Sequence, residues 1–153
     1  MIEPGEHDAM KTKVRDWMTR NPITVDAGES IVKALHLIKE KDVRRLPVLK
    51  DGKLVGLVTE RMLLTFSPGK SSSLDAWEVQ YLLAQTPVTA AMNTHPHTVT
   101  PDTDLADCAQ IIHDRKLNGI TVVDETGALV GILTTTNALE ALIWFTHHVR
   151  DAA

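Results

Sequence analysis

The stretch Gly52-Lys53-Leu54-Val55-Gly56-Leu57-Val58-Thr59 decides the fold, because the chain contains it twice. Residues 127–134 read Gly-Ala-Leu-Val-Gly-Ile-Leu-Thr and keep both glycines, the Leu-Val pair and the final threonine. The two stretches are 75 residues apart. Upstream, the spacing is 74 residues, because copy two has one inserted residue near Thr126, and the match begins at Val14, which aligns with Val88. Matches in one order over about fifty residues indicate a duplicated unit, since a solenoid usually needs three or more short repeats.

Both copies have the same predicted order of elements, β-α-β-β-α. In each copy a short extended piece leads into an amphipathic helix, capped by Ser30 in copy one and by Asp102 or Asp104 in copy two. Asp51-Gly52 predicts a tight hairpin turn, because glycine accepts the positive φ that such turns require. The predicted strands cover residues 23–25, 46–49 and 54–59 in copy one and residues 98–100, 120–123 and 129–134 in copy two.

The fold class is therefore α/β (α+β), with two β-α-β-β-α units. One unit of this size is marginally stable, so we expect the two to pack sheet to sheet as a pseudo-twofold pair. The predicted boundaries are a flexible N-terminal segment at 1–12, a first domain at 13–66, a linker with a short helix at 67–85, a second domain at 86–146 and a tail at 147–153. The linker helix, residues 74–84 capped by Ser73, is expected to pack its Trp77 and Tyr81 face on the second unit; a partner-docking surface is the alternative.

Composition limits the possible functions. The chain has 153 residues, of which 43% are hydrophobic and 24% charged, and a net charge of −4, which gives no reason to expect binding to nucleic acid. No apolar run approaches the ~20 residues of a membrane span. The only cysteine, Cys108, lies on the apolar stripe of its helix, which favours a buried, unreactive thiol. A single cysteine cannot form an intramolecular disulfide, and with no signal-peptide pattern in the sequence we expect a cytoplasmic location.

The motifs together resemble those of the CBS domain, named after cystathionine β-synthase. The residues that carry the resemblance are Val14-Arg15-Asp16-Trp17-Met18-Thr19, Arg45-Leu46-Pro47-Val48 and residues 52–59, repeated less faithfully in copy two. The inserted helix at residues 74–78 is similar to that of stand-alone bacterial pairs of the acetoin-utilisation type. The resemblance implies ligand clefts between two units, a homodimer, and adenosine-containing ligands such as AMP, ADP, ATP, NADH or S-adenosylmethionine, with no required cofactor.

The family's ligand motif is a glycine, two apolar residues, Thr or Ser, two variable residues and an aspartate. Copy two matches it at residues 131–137, except that Asn137 replaces the aspartate; its amide oxygen can still accept from a ribose hydroxyl. By resemblance, the ligand-binding residues of this better cleft are Asp16, Val43, Arg44, Asn118, Ile132, Thr134, Thr136 and Asn137. The alternative is that Thr134 and Asn137 only cap a helix, where both residue types are favoured.

Copy one keeps Thr59 of the same motif, but Met62 stands in place of the aspartate and cannot hydrogen-bond the two hydroxyls of a ribose. The cleft is then either silent or adapted to a different ribose environment, with Arg61 available for a phosphate. The residues of this weaker second cleft are Thr89, Leu117, Leu57, Thr59, Arg61 and Met62. Of the adjacent Arg44 and Arg45, we expect one to face a cleft and the other to face water.

No catalytic motif supports an enzyme. The sequence lacks a nucleophile elbow, a P-loop, a zinc-protease helix and a CxxC pair, and His95 with His97 makes a poor metal site without further ligands. By the resemblance, the hypothesis is a regulatory module that binds an adenosyl ligand and signals to a separate, unknown effector protein. The alternative is a structural dimerisation module whose degenerate clefts bind nothing.

Overall fold

The computed structural model describes residues 10–66 and 73–152. This part of the chain contains seven strands and five α-helices, and short 3₁₀ turns at Val14–Asp16 and Val88–Ala90. The strands are β1 (Thr19–Arg20), β2 (Val25–Asp26), β3 (Arg45–Lys50), β4 (Lys53–Thr59), β5 (Thr98–Val99), β6 (Gly119–Val123) and β7 (Leu129–Thr134). The helices are α1 (Ile31–Lys41), α2 (Glu60–Phe66), α3 (Ala76–Gln85), α4 (Leu105–Asp114) and α5 (Thr135–Ala152). The predicted β-α-β-β-α order of both copies is confirmed.

The chain divides into two compact units, which we call the continuous unit and the split unit. The continuous unit is Ile23–Pro96, and the split unit combines Met1–Pro22 with His97–Ala153. The split unit therefore contains most of copy two together with the first residues of copy one. The domain boundaries drawn from the sequence remain a prediction, since they follow the repeat and not this division.

The continuous unit is built on a three-stranded sheet in the order β2-β3-β4. Strands β3 and β4 form an antiparallel hairpin, and β2 runs parallel to β3 because α1 crosses between them. Asp51 and Gly52 have φ angles of +52° and +78°, which is the two-residue turn that the Asp-Gly pair predicts.

Helix α1 begins as the sequence predicts. The Ser30 hydroxyl accepts from the Lys33 backbone N–H at 3.1 Å, and Ile31, Ala34 and Ile38 are buried on one face. These three side chains pack with Leu46 in the core of the continuous unit.

Two predictions for the linker helix are wrong. Helix α3 is capped by Asp75, whose carboxylate accepts from the Glu78 N–H at 2.8 Å, and not by Ser73. Trp77 is 85% exposed and Tyr81 is 71% exposed, so this face is not buried as predicted. The opposite face of α3, through Leu83, packs in the core of the continuous unit, because the chain after α3 pairs at Pro87 with Ser30, the cap of α1. The predicted flexible stretch at residues 67–72 lies outside the described residues.

The split unit has a four-stranded sheet in the order β1-β7-β6-β5. Asp104 stands at the N-cap of α4, but its carboxylate accepts from the Lys13 ammonium at 2.6 Å and makes no cap bond. Cys108 on α4 is fully buried, as expected, and burial raises the pKa of its thiol to about 11.

Each unit completes its core with the first residues of the other copy. Val14 is fully buried among copy-two residues of the split unit, and its repeat equivalent Val88 is fully buried among copy-one residues of the continuous unit. The Thr103 carbonyl accepts from the Val14 N–H at 2.9 Å, and the Glu29 carbonyl accepts from the Val88 N–H at 2.7 Å. Both units therefore use the same non-local pairing.

Helix α5 extends through residues 147–152, which the sequence analysis assigned to a tail. Its last turns are stabilised by aromatic packing, because the Trp144 and His148 rings stack with centroids 3.7 Å apart and Trp17 contacts both Trp144 and Phe145. In the described part of the chain, no helix combines the length and the apolar character that crossing a bilayer requires.

Candidate functional site

The motif of copy two lies where β7 ends and α5 begins. Thr134 is the last residue of β7, and Asn137 lies in the first turn of α5 with only 9% of its surface exposed. The Thr134 N–H and hydroxyl donate to Asn137 Oδ1 at 2.9 Å and 3.0 Å, and the Asn137 N–H donates to Thr134 Oγ1 at 3.2 Å. This reciprocal pair is a capping box in which asparagine takes the place of the usual Glu or Gln.

The N-terminal segment contacts the same motif. The Thr19 hydroxyl donates to Asn137 Oδ1 at 3.4 Å, and Thr19 is the register partner of Ile132 in the β1–β7 pair. A Cβ added at Gly131 would lie 2.7 Å from Met18 Sδ and 2.9 Å from the Thr19 carbonyl oxygen. Position 131 therefore requires glycine, because any side chain would displace strand β1.

Asn118 joins this group through its backbone. Its carbonyl accepts from the Thr135 N–H at 3.0 Å and from the Thr135 hydroxyl at 3.1 Å. The Asp16 carboxylate accepts from the Lys13 N–H at 3.0 Å, so it stabilises the 3₁₀ turn at Val14–Asp16. Asn118 and Asp16 thus belong to the split unit together with Thr134 and Asn137.

The remaining predicted residues of this site are distributed differently. Thr136 is exposed on the first turn of α5, and Ile132 is 7% exposed. Val43 and Arg44 belong to the continuous unit, where Val43 is half-buried beside the core and Arg44 is exposed. The structure therefore connects Thr134 and Asn137 by hydrogen bonds, and the Asn118 carbonyl bonds the adjacent Thr135. The ligand contacts of all eight residues remain predictions.

The motif of copy one has the same position in the continuous unit but fewer hydrogen bonds. Thr59 Oγ1 accepts from the Met62 N–H at 3.1 Å, and the thioether of Met62 cannot return a bond of the Asn137 kind. Gly56 is constrained as Gly131 is, since an added Cβ would lie 2.9 Å from the Asn93 carbonyl oxygen. Leu57 exchanges backbone hydrogen bonds with Asn93 at 2.9 Å and 3.0 Å.

The other residues of the weaker cleft are divided between the units. Thr89 and Arg61 belong to the continuous unit, where Thr89 is half-buried in the 3₁₀ turn Val88–Ala90 and Arg61 is exposed on α2. Leu117 belongs to the split unit and packs against its core. Their ligand contacts, too, remain predictions.

That one of Arg44 and Arg45 faces a cleft and the other faces water stays a prediction. Arg44 is exposed, and the residue partly withdrawn from solvent is Arg45. Its side chain is half-buried, and its Nη1 atom is buried with no hydrogen-bond partner among residues 10–66 and 73–152. Burial, followed by the positive charge of Arg44, lowers the pKa of Arg45. The site residues chosen from the sequence include Arg44 and omit Arg45.

Sequence reasoning missed two residues at these motifs, Arg45 and Thr19. Alternation along β3 could have placed Arg45 on the face opposite the buried Leu46. No sequence signal indicates Thr19: its alignment with Asn93 becomes informative only in the structure, where Asn93 pairs with Leu57 of the copy-one motif.

The histidines at 95 and 97 are exposed, and the His95 ring bonds the Thr94 hydroxyl at 2.9 Å. Within the described ranges there is no group of three or more His, Cys, Asp or Glu side chains that could hold a metal ion.

Comparison with known proteins supports the resemblance. A family model for the CBS domain matches residues 14–69 and 88–143. A Methanocaldococcus jannaschii protein is 36% identical over 140 residues, which is 88% of this chain but 33% of that protein, so the chain spans about a third of this relative.

Two solved structures have the same fold over nearly their whole length. A Vibrio cholerae protein described as an acetoin utilization protein (AcuB) is 29% identical with a TM-score of 0.74, covering 91% of this chain and 96% of that one. CBSX2, known from Arabidopsis thaliana, was solved in complex with AMP; it is 34% identical with a TM-score of 0.73, covering 88% of this chain and 98% of that one.

Proposed function

Because the chain belongs to the CBS-domain family, we propose that it is a regulatory module that binds an adenosine-containing nucleotide or a related adenosyl compound. The observation that carries the proposal is the Gly131-to-Asn137 motif at the β7–α5 junction, in a chain 34% identical to a CBSX2 structure that holds AMP. ADP, ATP, NADH and S-adenosylmethionine are the other ligands considered.

The chemistry of the junction suits the phosphate end of such a ligand. Helix α5 has 18 residues, and the N-terminus of a long helix offers backbone N–H groups and a favourable dipole to an anion. The exposed Thr136 hydroxyl lies in that first turn and adds a donor. The ribose, by contrast, cannot rely on Asn137 Oδ1 alone, because this oxygen already accepts from Thr134 twice and from Thr19.

By the family resemblance, residues of both copies complete the clefts, and a homodimer forms. Ligand then changes the arrangement of the units or of the dimer, and a separate effector protein responds to the change. A ligand can do this only through different affinities for the two arrangements. The proposed role is binding and not catalysis.

Titration calorimetry with AMP, ADP, ATP, NADH and S-adenosylmethionine tests the proposal. At a hundredfold excess over Kd, a ligand should also stabilise the protein by ~2.7 kcal/mol, so the melting temperature should rise. The absence of heat and of a thermal shift with all five compounds would contradict ligand sensing.

A matched pair of variants locates the site. Thr136→Ala removes a hydroxyl outside the capping box and should weaken nucleotide binding about tenfold, the cost of one hydrogen bond to a charged group. Thr146→Ala changes an equally exposed threonine on the same helix and should leave affinity unchanged. Equal affinities of the two variants would show that the phosphate does not bind at the start of α5.

A second candidate function is a structural dimerisation module whose clefts bind nothing. The capping box favours it, because Thr134 and Asn137 satisfy each other without a ligand. This candidate predicts a dimer at micromolar concentration in analytical ultracentrifugation whose stability does not respond to any adenosyl compound.

A further inference from the structure

We propose that the outer side of helix α3 is a docking surface for a basic amphipathic segment of a separate protein. We call this surface the α3 face, and it consists of Leu74, Trp77, Glu78, Tyr81 and Leu82. The inference deepens the proposed function and rests on it in one respect, namely that the module has an effector. It adds where that effector binds and by what chemistry.

Helix α3 carries apolar side chains on two opposite sides. Leu83 is 6% exposed and packs in the core of the continuous unit, and Val79 packs beside it. Because successive residues of a helix are about 100° apart, Trp77 and Tyr81 lie on the other side, where they are exposed. The second apolar side of α3 therefore contributes nothing to the core of its own unit.

The α3 face is large for an apolar surface in contact with water. The Trp77 and Tyr81 rings alone expose about 300 Å², and Leu74 and Leu82 add to this area at 37% and 47% exposure. The largest apolar patch of a typical monomer is about 300–600 Å² and is often functional. The five residues of the face line one shallow depression of about 470 Å³, which can receive apolar side chains of a partner.

The charges beside these apolar side chains are all negative. Asp75 and Glu78 are exposed, and residues 71–94 contain no Lys, Arg or His. Glu78 forms no ion pair with any residue in the described part of the chain. A partner with Lys or Arg next to its apolar side chains complements both features, because a cation can pair with the carboxylate or lie over an aromatic ring.

The same charges disfavour the other possible occupants. A twofold axis through the α3 face would bring the Glu78 carboxylates of two copies close together, and like charges at an interface reduce affinity. An anionic lipid surface would be repelled by the same carboxylates. Within this chain, residues 1–9 include three acidic side chains and no Lys or Arg, and residues 67–72 include no large apolar side chain. The face therefore favours a separate, basic partner.

The size of the α3 face indicates a transient contact. A standard stable interface buries ~800 Å² on each partner, whereas weak signalling contacts are smaller. The exposed apolar area of the α3 face is below that standard size, so it suits an effector that binds and dissociates better than an obligate dimer.

A phage-displayed library of short random peptides tests the chemistry of the partner without assuming its sequence. Peptides are selected on the wild-type protein in the presence of excess soluble Trp77→Ala, which removes sequences that bind elsewhere. The enriched peptides should combine apolar residues with a net positive charge. No enrichment, or enrichment of acidic peptides, would overturn the inference.

Variants that took no part in the selection then locate the enriched peptide on α3. In fluorescence anisotropy with the labelled synthetic peptide, Tyr81→Ala should lose about tenfold in affinity, as expected for an aromatic hot spot. Glu78→Lys should also lose about tenfold, and Glu78→Gln should lie between it and wild type. Leu142→Ala, at an apolar residue of α5 that is 60% exposed, is the matched control and should bind as wild type does. Wild-type affinity in Tyr81→Ala or Glu78→Lys would contradict the proposal.

Two further measurements address the other occupants. Wild type and Trp77→Ala should have the same mass in analytical ultracentrifugation, and vesicles containing phosphatidylserine should not co-sediment the wild-type protein. A lower mass of Trp77→Ala would assign the α3 face to a second copy, and co-sedimentation that this variant loses would assign it to lipid. Either result overturns the inference.

The failure of this inference can be distinguished from failure of the proposed function. Titration calorimetry with AMP should give the same result for wild type and Tyr81→Ala, because α3 carries none of the predicted ligand residues. Peptide binding at the α3 face in a protein that binds no adenosyl compound would leave the docking surface in place and contradict ligand sensing alone.

Discussion

The continuous unit and the split unit have equivalent core positions but differ at the junction of strand and helix. Leu46 and Ile120 occupy the same core position in the two units, and so do Ala34 and Cys108. At the junctions, by contrast, Thr134 and Asn137 bond each other reciprocally, whereas Thr59 only accepts from Met62. The repeated positions therefore maintain the fold, and the positions that differ determine what each motif can bind.

The largest changes in stability should come from the equivalent core positions, where the two units are expected to behave alike. Leu46→Ala and Ile120→Ala each remove a side chain that is at most 2% exposed, so each should lower the free energy of unfolding by about 2–5 kcal/mol in urea titrations. Leu139→Ala, at a residue that is 54% exposed, is the control and should change it by less than about 0.5 kcal/mol. A loss confined to one unit would show that the two cores are not equivalent.

The glycines of the motifs should also respond in parallel. Gly56→Ala and Gly131→Ala each place a Cβ 2.9 Å from a carbonyl oxygen of the paired segment, and thermal or urea unfolding should show a loss of about 1–3 kcal/mol. Gly28→Ala should cost less, because the nearest atom is an Asp26 carboxylate oxygen at 3.3 Å whose side chain can rotate. An unchanged stability of Gly131→Ala would mean that β1 is not held against β7.

The difference between Cys108 and Ala34 should appear as a pH dependence. Burial raises the pKa of Cys108 from its ordinary 9.0 to about 11, so the folded protein holds the thiol proton more tightly than the unfolded chain. Its contribution to stability is complete below about pH 9 and is lost as pH rises toward 11, with a slope of up to about 1.4 kcal/mol per pH unit.

Cys108→Ala installs the residue that copy one has at this position and should remove this part of the slope. The check is a series of urea unfolding curves between pH 7 and about 10.5 on both proteins, since all other groups are shared. Identical slopes of stability against pH in the two proteins would indicate that burial does not make ionisation of the thiol less favourable.

The smallest effects concern the caps. Asn137→Ala removes the acceptor of the Thr134 N–H and should cost about 1 kcal/mol, whereas Asn137→Asp keeps the acceptor and should cost less. Met62→Asn gives copy one the same reciprocal pair and should stabilise the protein by about 0.5 kcal/mol. Melting temperatures of the three variants decide this, and a destabilised Met62→Asn would show that Met62 is needed for packing.

Local features were predictable from the sequence because local chemistry determines them. The Asp51-Gly52 turn, the Ser30 cap and the limits of β7 follow from glycine φ, side-chain oxygens and apolar runs. The duplicated order of elements follows from the repeat itself, and the comparisons confirm the family that the motifs indicated.

Contacts between residues distant in the sequence were not predictable. Nothing near Thr19 in the sequence indicates that it pairs with Ile132, which lies in the other copy. The aromatic residues of α3 suggested a buried face. The opposite face packs in the core instead, because of where the chain after α3 pairs. At the site, residue types permitted both capping and ligand contact, and only the rotamers show that Thr134 and Asn137 bond each other.

The nested arrangement of the chain has a consequence for the order in which the protein can fold during synthesis. The continuous unit, Ile23–Pro96, is an uninterrupted segment and can close once Pro96 has left the ribosome. Strand β1, in contrast, finds its sheet partner only when β7, which ends at Thr134, has emerged. At typical elongation rates of ~5–20 residues per second, β1 therefore remains unpaired for several seconds after the continuous unit can fold. Nascent chains arrested at successive lengths would therefore protect Val88 from proteolysis before Val14.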